Sequence, residues 1–112
     1  MLTIFKPREE HPMSHVVTLK KGLPIKGNRH TTLTLREPFV DDLVAVEADG
    51  VMAYQSNTFR RALIARCIEN VDGFAGDITP SMLGRLSMTD WNILQRGFDV
   101  AEEEGKPEAA SE

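Results

Sequence analysis

At 112 residues the chain has room for one domain with a modest core, and its 41% hydrophobic and 27% charged residues exclude a disordered or fibrous chain. The net charge of −4 is uneven: residues 1–36 carry seven Lys/Arg against two Glu, whereas residues 37–112 carry six against fifteen Asp/Glu, which argues against a nucleic-acid partner for the second part. One cysteine, Cys67, excludes an internal disulfide, and no apolar run approaches the ~20 residues of a transmembrane helix.

Residues 1–13, with Pro7, Pro12 and mixed charges, read as a flexible N-terminal arm. Met1–Pro7 holds no apolar run of signal-peptide length, so a cytoplasmic protein is expected. A single α+β domain is expected over 14–104, with a hairpin over 14–37. Its first strand, 14–20, puts Val17 and Leu19 on one face, and Lys21–Arg29, with two Gly, a Pro and an Asn, reads as the connecting turn. The second strand, 30–37, alternates Leu33 and Leu35 with Thr32, Thr34 and Arg36. A lone hairpin is marginal in water, so its apolar face must pack on helices or on another chain. Its Thr-rich edge, at Thr32 and Thr34, is a candidate for pairing with a further strand.

Pro38 marks a switch to helical spacing, because it lacks a ladder N–H and its fixed φ suits a first helical turn. Phe39, Val40, Leu43, Val44 and Val46 are the apolar positions of a helix over about 39–48 that ends at Asp49-Gly50. Asp41 and Asp42 fall in its first turn, where the helix dipole favours negative charge by ~0.3–1 kcal/mol each. Arg36 is a local ion-pair partner for Asp41 or Asp42, so Arg36, Glu37, Pro38, Asp41 and Asp42 form a structural junction rather than a catalytic group. Ser56 is the expected N-cap of a second helix over about 57–71, with Phe59, Leu63, Cys67 and Val71 at i+4 steps. Thr79-Pro80 opens a short helix through Leu86. Ser87–Asp90 resembles a capping box with Asp in the Glu position, opening a last helix over about 88–104 with Met88, Trp91, Leu94, Phe98 and Ala101 in one stripe. Residues 105–112 read as a disordered polar tail. The predicted fold class is therefore α+β: an N-terminal β-hairpin packed on a small bundle of three to four helices.

Candidate chemistry is sparse. His11, His15 and His30 do not converge, and there is no CxxC or HExxH pattern, so no metal site is expected. Cys67 lies on an apolar stripe and reads as a buried small hydrophobe. Asp41 and Asp42 are adjacent, so they point about 100° apart and share no helix face. Asn70, Asp72 and Asp77 lack the spacing and closing Glu of a calcium loop. Residues 79–101 have helix–turn–helix spacing, but the second helix starts Met-Thr-Asp-Trp-Asn and ends in three Glu, which repel phosphate. No cofactor is expected, nor any enzyme activity. The stripe Trp91, Leu94 and Phe98 reads either as core or as a surface that docks on another chain.

The order of motifs resembles the small tail assembly chaperones of myophage type, the family of the Mu-like tail protein 41 and the P2-like tail protein E. The resemblance covers about residues 14–103. It rests on Leu33–Leu43, which contains L-R-E-P-x-x-x-D-L, on Leu23-Pro24-Ile25, and on Leu86 with Asp90. Phe39 departs from the small capping residue that such a segment leads one to expect. The resemblance implies a phage or prophage protein made in the cytoplasm of the bacterial host and absent from the finished particle. Its implied partners are the tape-measure protein, which it would keep soluble, and tail-tube protein, which it would recruit, with self-association as a further contact. Neither nucleic acid nor membrane is implied. Partner binding would use Trp91, Leu94, Phe98, Thr32 and Thr34. The alternatives are a structural tail component retained in the particle and a small helix-turn-helix nucleic-acid-binding protein.

Overall fold

The computed structural model describes residues 15–104; the arm predicted over 1–13 and the tail predicted over 105–112 lie outside them. Strands β1 (His15–Ile25) and β2 (Asn28–Leu35) form an antiparallel hairpin, and β3 (Ile68–Val71) joins the free side of β2, giving the order β1-β2-β3. Helices α1 (Val40–Ala48), α2 (Ser56–Cys67), the single-turn α3 (Pro80–Leu83) and α4 (Met88–Glu104) complete the α+β architecture among the described residues.

The hairpin differs from its prediction in one instructive way. Residues 21–25 are not loop but strand. The chain reverses at Lys26-Gly27, both with positive φ (51° and 85°), the two-residue turn whose twist matches paired strands. Gly22, φ 95°, sits instead in a large bulge, where Leu19–Gly22 stand opposite Thr31 alone. Register pairs Val17 with Leu33 and His15 with Leu35, so Val17, Leu19, Leu33 and Leu35 share the buried face.

The second helix is also shorter than its periodicity predicts. Its i+4 stripe runs on to Val71, but the helix stops at Cys67 and the next four residues pair with β2, Leu33 opposite Val71 and Leu35 opposite Ile68. Ile-Glu-Asn-Val suits a short strand as well as a helix end, and the unfilled edge of β2 decides between them. The N-cap falls on Gln55 rather than Ser56, and Gln55 Oε1 accepts from the Met52 N–H at 2.8 Å.

One core joins sheet and helices. Leu23, Leu33, Leu35, Ile64, Cys67, Leu94, Phe98 and Ala101 are buried together, and each fully buried large side chain contributes about 1.5–3 kcal/mol relative to exposure. Helix α4 lies directly on β1 because Gly97 presents no side chain there: a Cβ at this position would overlap Val17 Cγ2. Gly97→Ala should therefore destabilise the fold by ~1–3 kcal/mol in chemical denaturation, although alanine is the better helix former. The double variant with Val17→Ala should recover part of that loss.

Candidate functional site

Two buried carboxylates hold the helices to the sheet. Asp90, wholly buried, is the third residue of α4. Its backbone N–H donates to Ser87 Oγ at 3.1 Å, so half of the predicted capping box is present. Its side chain does not turn back to Ser87. It reaches the bulge of β1 and accepts three consecutive backbone N–H groups, from Lys20 at 2.7 Å, Lys21 at 3.0 Å and Gly22 at 2.9 Å. Burial alone would raise the Asp90 pKa, but the three backbone donors outweigh it and hold the carboxyl below its usual range.

Asp42 does the same at the junction. Arg36 donates to it through both guanidinium ends, Nη1 to Oδ2 at 2.8 Å and Nη2 to Oδ1 at 2.9 Å, and Arg66 Nε adds a bond to Oδ1 at 3.1 Å. The Phe39 N–H donates to Oδ2 at 2.7 Å, which caps α1 from within its first turn, since Phe39 itself offers no capping oxygen. Asp42, not Asp41, is therefore the partner of Arg36, and Asp41 stays exposed in the first turn. Arg36 also donates to the Glu37 and Arg66 carbonyls, each at 3.0 Å, and its guanidinium lies 5.3 Å from the centre of the Phe39 ring. Helix α1 starts at Val40, so Pro38 precedes the N-cap instead of opening the first turn. The hydrogen bonds of Arg36, first among the causes, pull the Asp42 carboxyl far below its ordinary range despite burial.

These anchors leave apolar side chains on the surface. Only Val46 of the apolar positions in α1 is buried; the N-cap residue Phe39 (55% exposed) and, in the helix, Val40 (73%), Leu43 (40%) and Val44 (56%) are exposed. A second surface is an open groove of about 340 Å³ between α2, α3 and the start of α4, lined by Arg61, Leu83, Leu86, Met88 and Trp91.

The candidate partner residues separate accordingly. Trp91 is half-buried and faces this groove, while Leu94 and Phe98 are buried in the core, so they offer no surface in the folded chain. Thr32 and Thr34 are on β2, the middle strand, whose two edges are both filled; among the described residues the outer strands of the sheet are β1 and β3. The helix–turn–helix spacing of residues 79–101 serves packing, with α4 spent on the sheet. Sequence reasoning missed Arg61 and the exposure of α1, because an apolar stripe does not say whether it faces the core.

Reactive chemistry finds little support. Burial pushes the Cys67 thiol up to about 12, leaving it protonated near neutrality. His30 Nδ1 lies 3.0 Å from the Asp72 carbonyl oxygen. Among the described residues no group of three or more His, Cys, Asp or Glu is placed to hold a metal ion, and no helix is long and apolar enough to cross a membrane.

A small α+β domain, with charges turned inward as anchors and apolar side chains left outside, is the class that this geometry defines. The chain belongs to the family of phage tail assembly chaperone proteins, E, or 41 or 14, whose sequence model matches residues 16–100. No curated protein and no solved structure matches it.

The two carboxylates set the acid stability. Each has a folded pKa below its unfolded value of ~3.9, so each contributes stability above that value, and the contribution is lost as pH falls toward the folded pKa. Thermal melts should show little change of Tm from neutrality to about pH 5 and a steep fall below about pH 4. Asp90→Asn, which sets an amide NH₂ against N–H donors, should lower stability by ~2–3 kcal/mol at pH 7 and flatten the acid slope.

Proposed function

We propose that this chain binds the tape-measure protein while the tail is being built, holds it in solution, and helps bring tail-tube subunits to it. The observation that carries this reading is the exposed apolar stripe of α1, Phe39, Val40, Leu43 and Val44, on a chain of net charge −4. A partner for a long helical protein with apolar faces needs apolar surface of its own and enough net charge to stay soluble while that surface is open. Family membership supports a role in tail assembly carried out through protein partners. The reading places the protein in the cytoplasm of the bacterial host, outside the finished particle, with no catalytic step. A retained structural component would instead be found in purified particles.

The stripe is testable without disturbing the core. Val40→Ser with Val44→Ser changes two exposed positions and should leave the melting temperature within a few degrees of wild type. On co-expression with the tape-measure protein of the same phage, the wild-type chain should raise that protein's soluble fraction. The double variant should lose most of this effect. Equal rescue by both chains would remove α1 from the binding surface, and no rescue by the wild-type chain would remove the tape-measure protein as partner.

A further inference from the structure

The exposed stripe of α1 is bordered by acids that no cation of the fold meets. Asp41 and Glu47 are exposed and each is three residues from Val44, so both flank the stripe on the helix surface. Glu47 and the C-cap Asp49 also stand at the negative end of the helix dipole, and the last turn holds no basic residue. Among the described residues, the side chains of Asp41, Glu47 and Asp49 form no hydrogen bond or ion pair. The surface is therefore complementary to apolar side chains accompanied by cations. A second copy of α1 does not supply them, because it would bring acid against acid.

The chain carries such a sequence ahead of β1. Met1, Leu2, Ile4 and Phe5 are apolar, Lys6 and Arg8 follow, and the first acid is Glu9. The strand register brings this segment close to α1. His15, where the described chain begins, pairs with Leu35, which precedes Phe39 by four residues. The ten residues from Phe5 to His15 span up to ~33 Å, whereas α1, with nine residues, is ~14 Å long. The whole stripe is thus within reach. A tether this short gives an effective concentration on the order of 1 mM, so a contact too weak to join separate molecules is populated within one chain.

We propose that Met1–Arg8 docks on the α1 stripe of its own chain, with Leu2, Ile4 and Phe5 against Val40, Leu43 and Val44, and with Lys6 and Arg8 toward the acids that border them. Docked there, the segment covers an apolar surface that would otherwise be open to association. It also competes with the tape-measure protein for that surface and lowers its apparent affinity by the covered fraction. The competition rests on the function proposed above; the docking rests on this chain alone.

A nitroxide label in the full-length chain tests the docking. Thr3→Cys places a reactive thiol in the segment, while Cys67 is buried and stays unlabelled. The amide NMR signals of Val40, Leu43 and Val44 should lose most of their intensity to the label. Lys6→Glu with Arg8→Glu should restore them, and so should Val40→Ser with Val44→Ser at positions 41, 43 and 45. Full signal along α1 before either pair of changes, or broadening that survives both pairs, would overturn the proposal. Mixing nitroxide-labelled chain with isotope-enriched chain that carries no nitroxide separates the two sources of the segment. Equal broadening of the enriched chain in that mixture would place the segment on a second copy and overturn docking within the chain. Titration with the tape-measure protein of the same phage reads the competition. Ile4→Ser with Phe5→Ser should bind it about threefold more tightly than the wild-type chain, or better. Equal affinity, with the docking seen by the label, would overturn the competition. If neither chain binds the tape-measure protein, the proposed function fails while the docking stands on the label.

Discussion

The fold depends on a carboxylate with no access to water. Asp90 takes the N–H groups of Lys20, Lys21 and Gly22, which the bulge of β1 has removed from the sheet ladder. Without Asp90 these donors would be directed at an apolar helix, and without the bulge a buried Asp at the start of α4 would lack acceptable partners. Each feature is tolerable only because of the other. Together they fix the place on β1 where α4 begins, some seventy residues along the chain, and Gly97 then sets how closely the rest of the helix lies on the strand.

Asp42 is the second such anchor, with a different donor set. Its carboxylate binds the guanidinium of Arg36, the Nε of Arg66 and the N–H of Phe39, so one side chain ties the end of β2, the start of α1 and the last turn of α2. Buried ion pairs often do no better than an apolar replacement, because desolvation opposes attraction. Here the geometry is bidentate and the remaining oxygen positions are hydrogen-bonded, the condition under which such a pair holds. Its effect is directional as well as energetic: α1 leaves the sheet at a set angle and touches the rest of the molecule mainly through Val46 and α2.

Much of this was legible in the sequence, and the two anchors explain which part. The family resemblance rests most firmly on L-R-E-P-x-x-x-D-L and on Leu86 with Asp90; these segments contain Arg36, Asp42 and Asp90. Short-range signals were readable because they are local: the Leu33/Leu35 alternation, Pro38 as a boundary, Thr79-Pro80, the Ser87 cap. What could not be read was set at long range. Cys67–Val71 satisfies helical and strand spacing equally, and only the empty edge of β2 makes it a strand. Gly22 and Gly27 look alike as turn residues, yet one makes the turn and the other the bulge, because Asp90 is opposite only the first. Leu94 and Phe98 share a stripe with Trp91, but periodicity cannot say where the core side of a stripe ends.

That boundary on α4 follows from the anchor itself. Successive helical residues are about 100° apart, so directing Asp90 into β1 fixes the azimuth of every other side chain on the helix. Leu94, one turn on, must then enter the core beside it, as must Phe98 and Ala101 at the next steps. Trp91 is rotated to the flank, where it is half-buried and lines the same groove as Leu83 and Leu86, and Met88 is turned outward to the rim. The same rule acts on α1: with Asp42 drawn inward and Val46 four residues later beneath it, Val40 and Val44 are placed on the opposite side and Leu43 beside them. In both helices an inward carboxylate determines which apolar residues are left in solvent. The acidic residues therefore divide in two, the buried pair positioning the surface and the exposed ones giving the chain its net charge of −4.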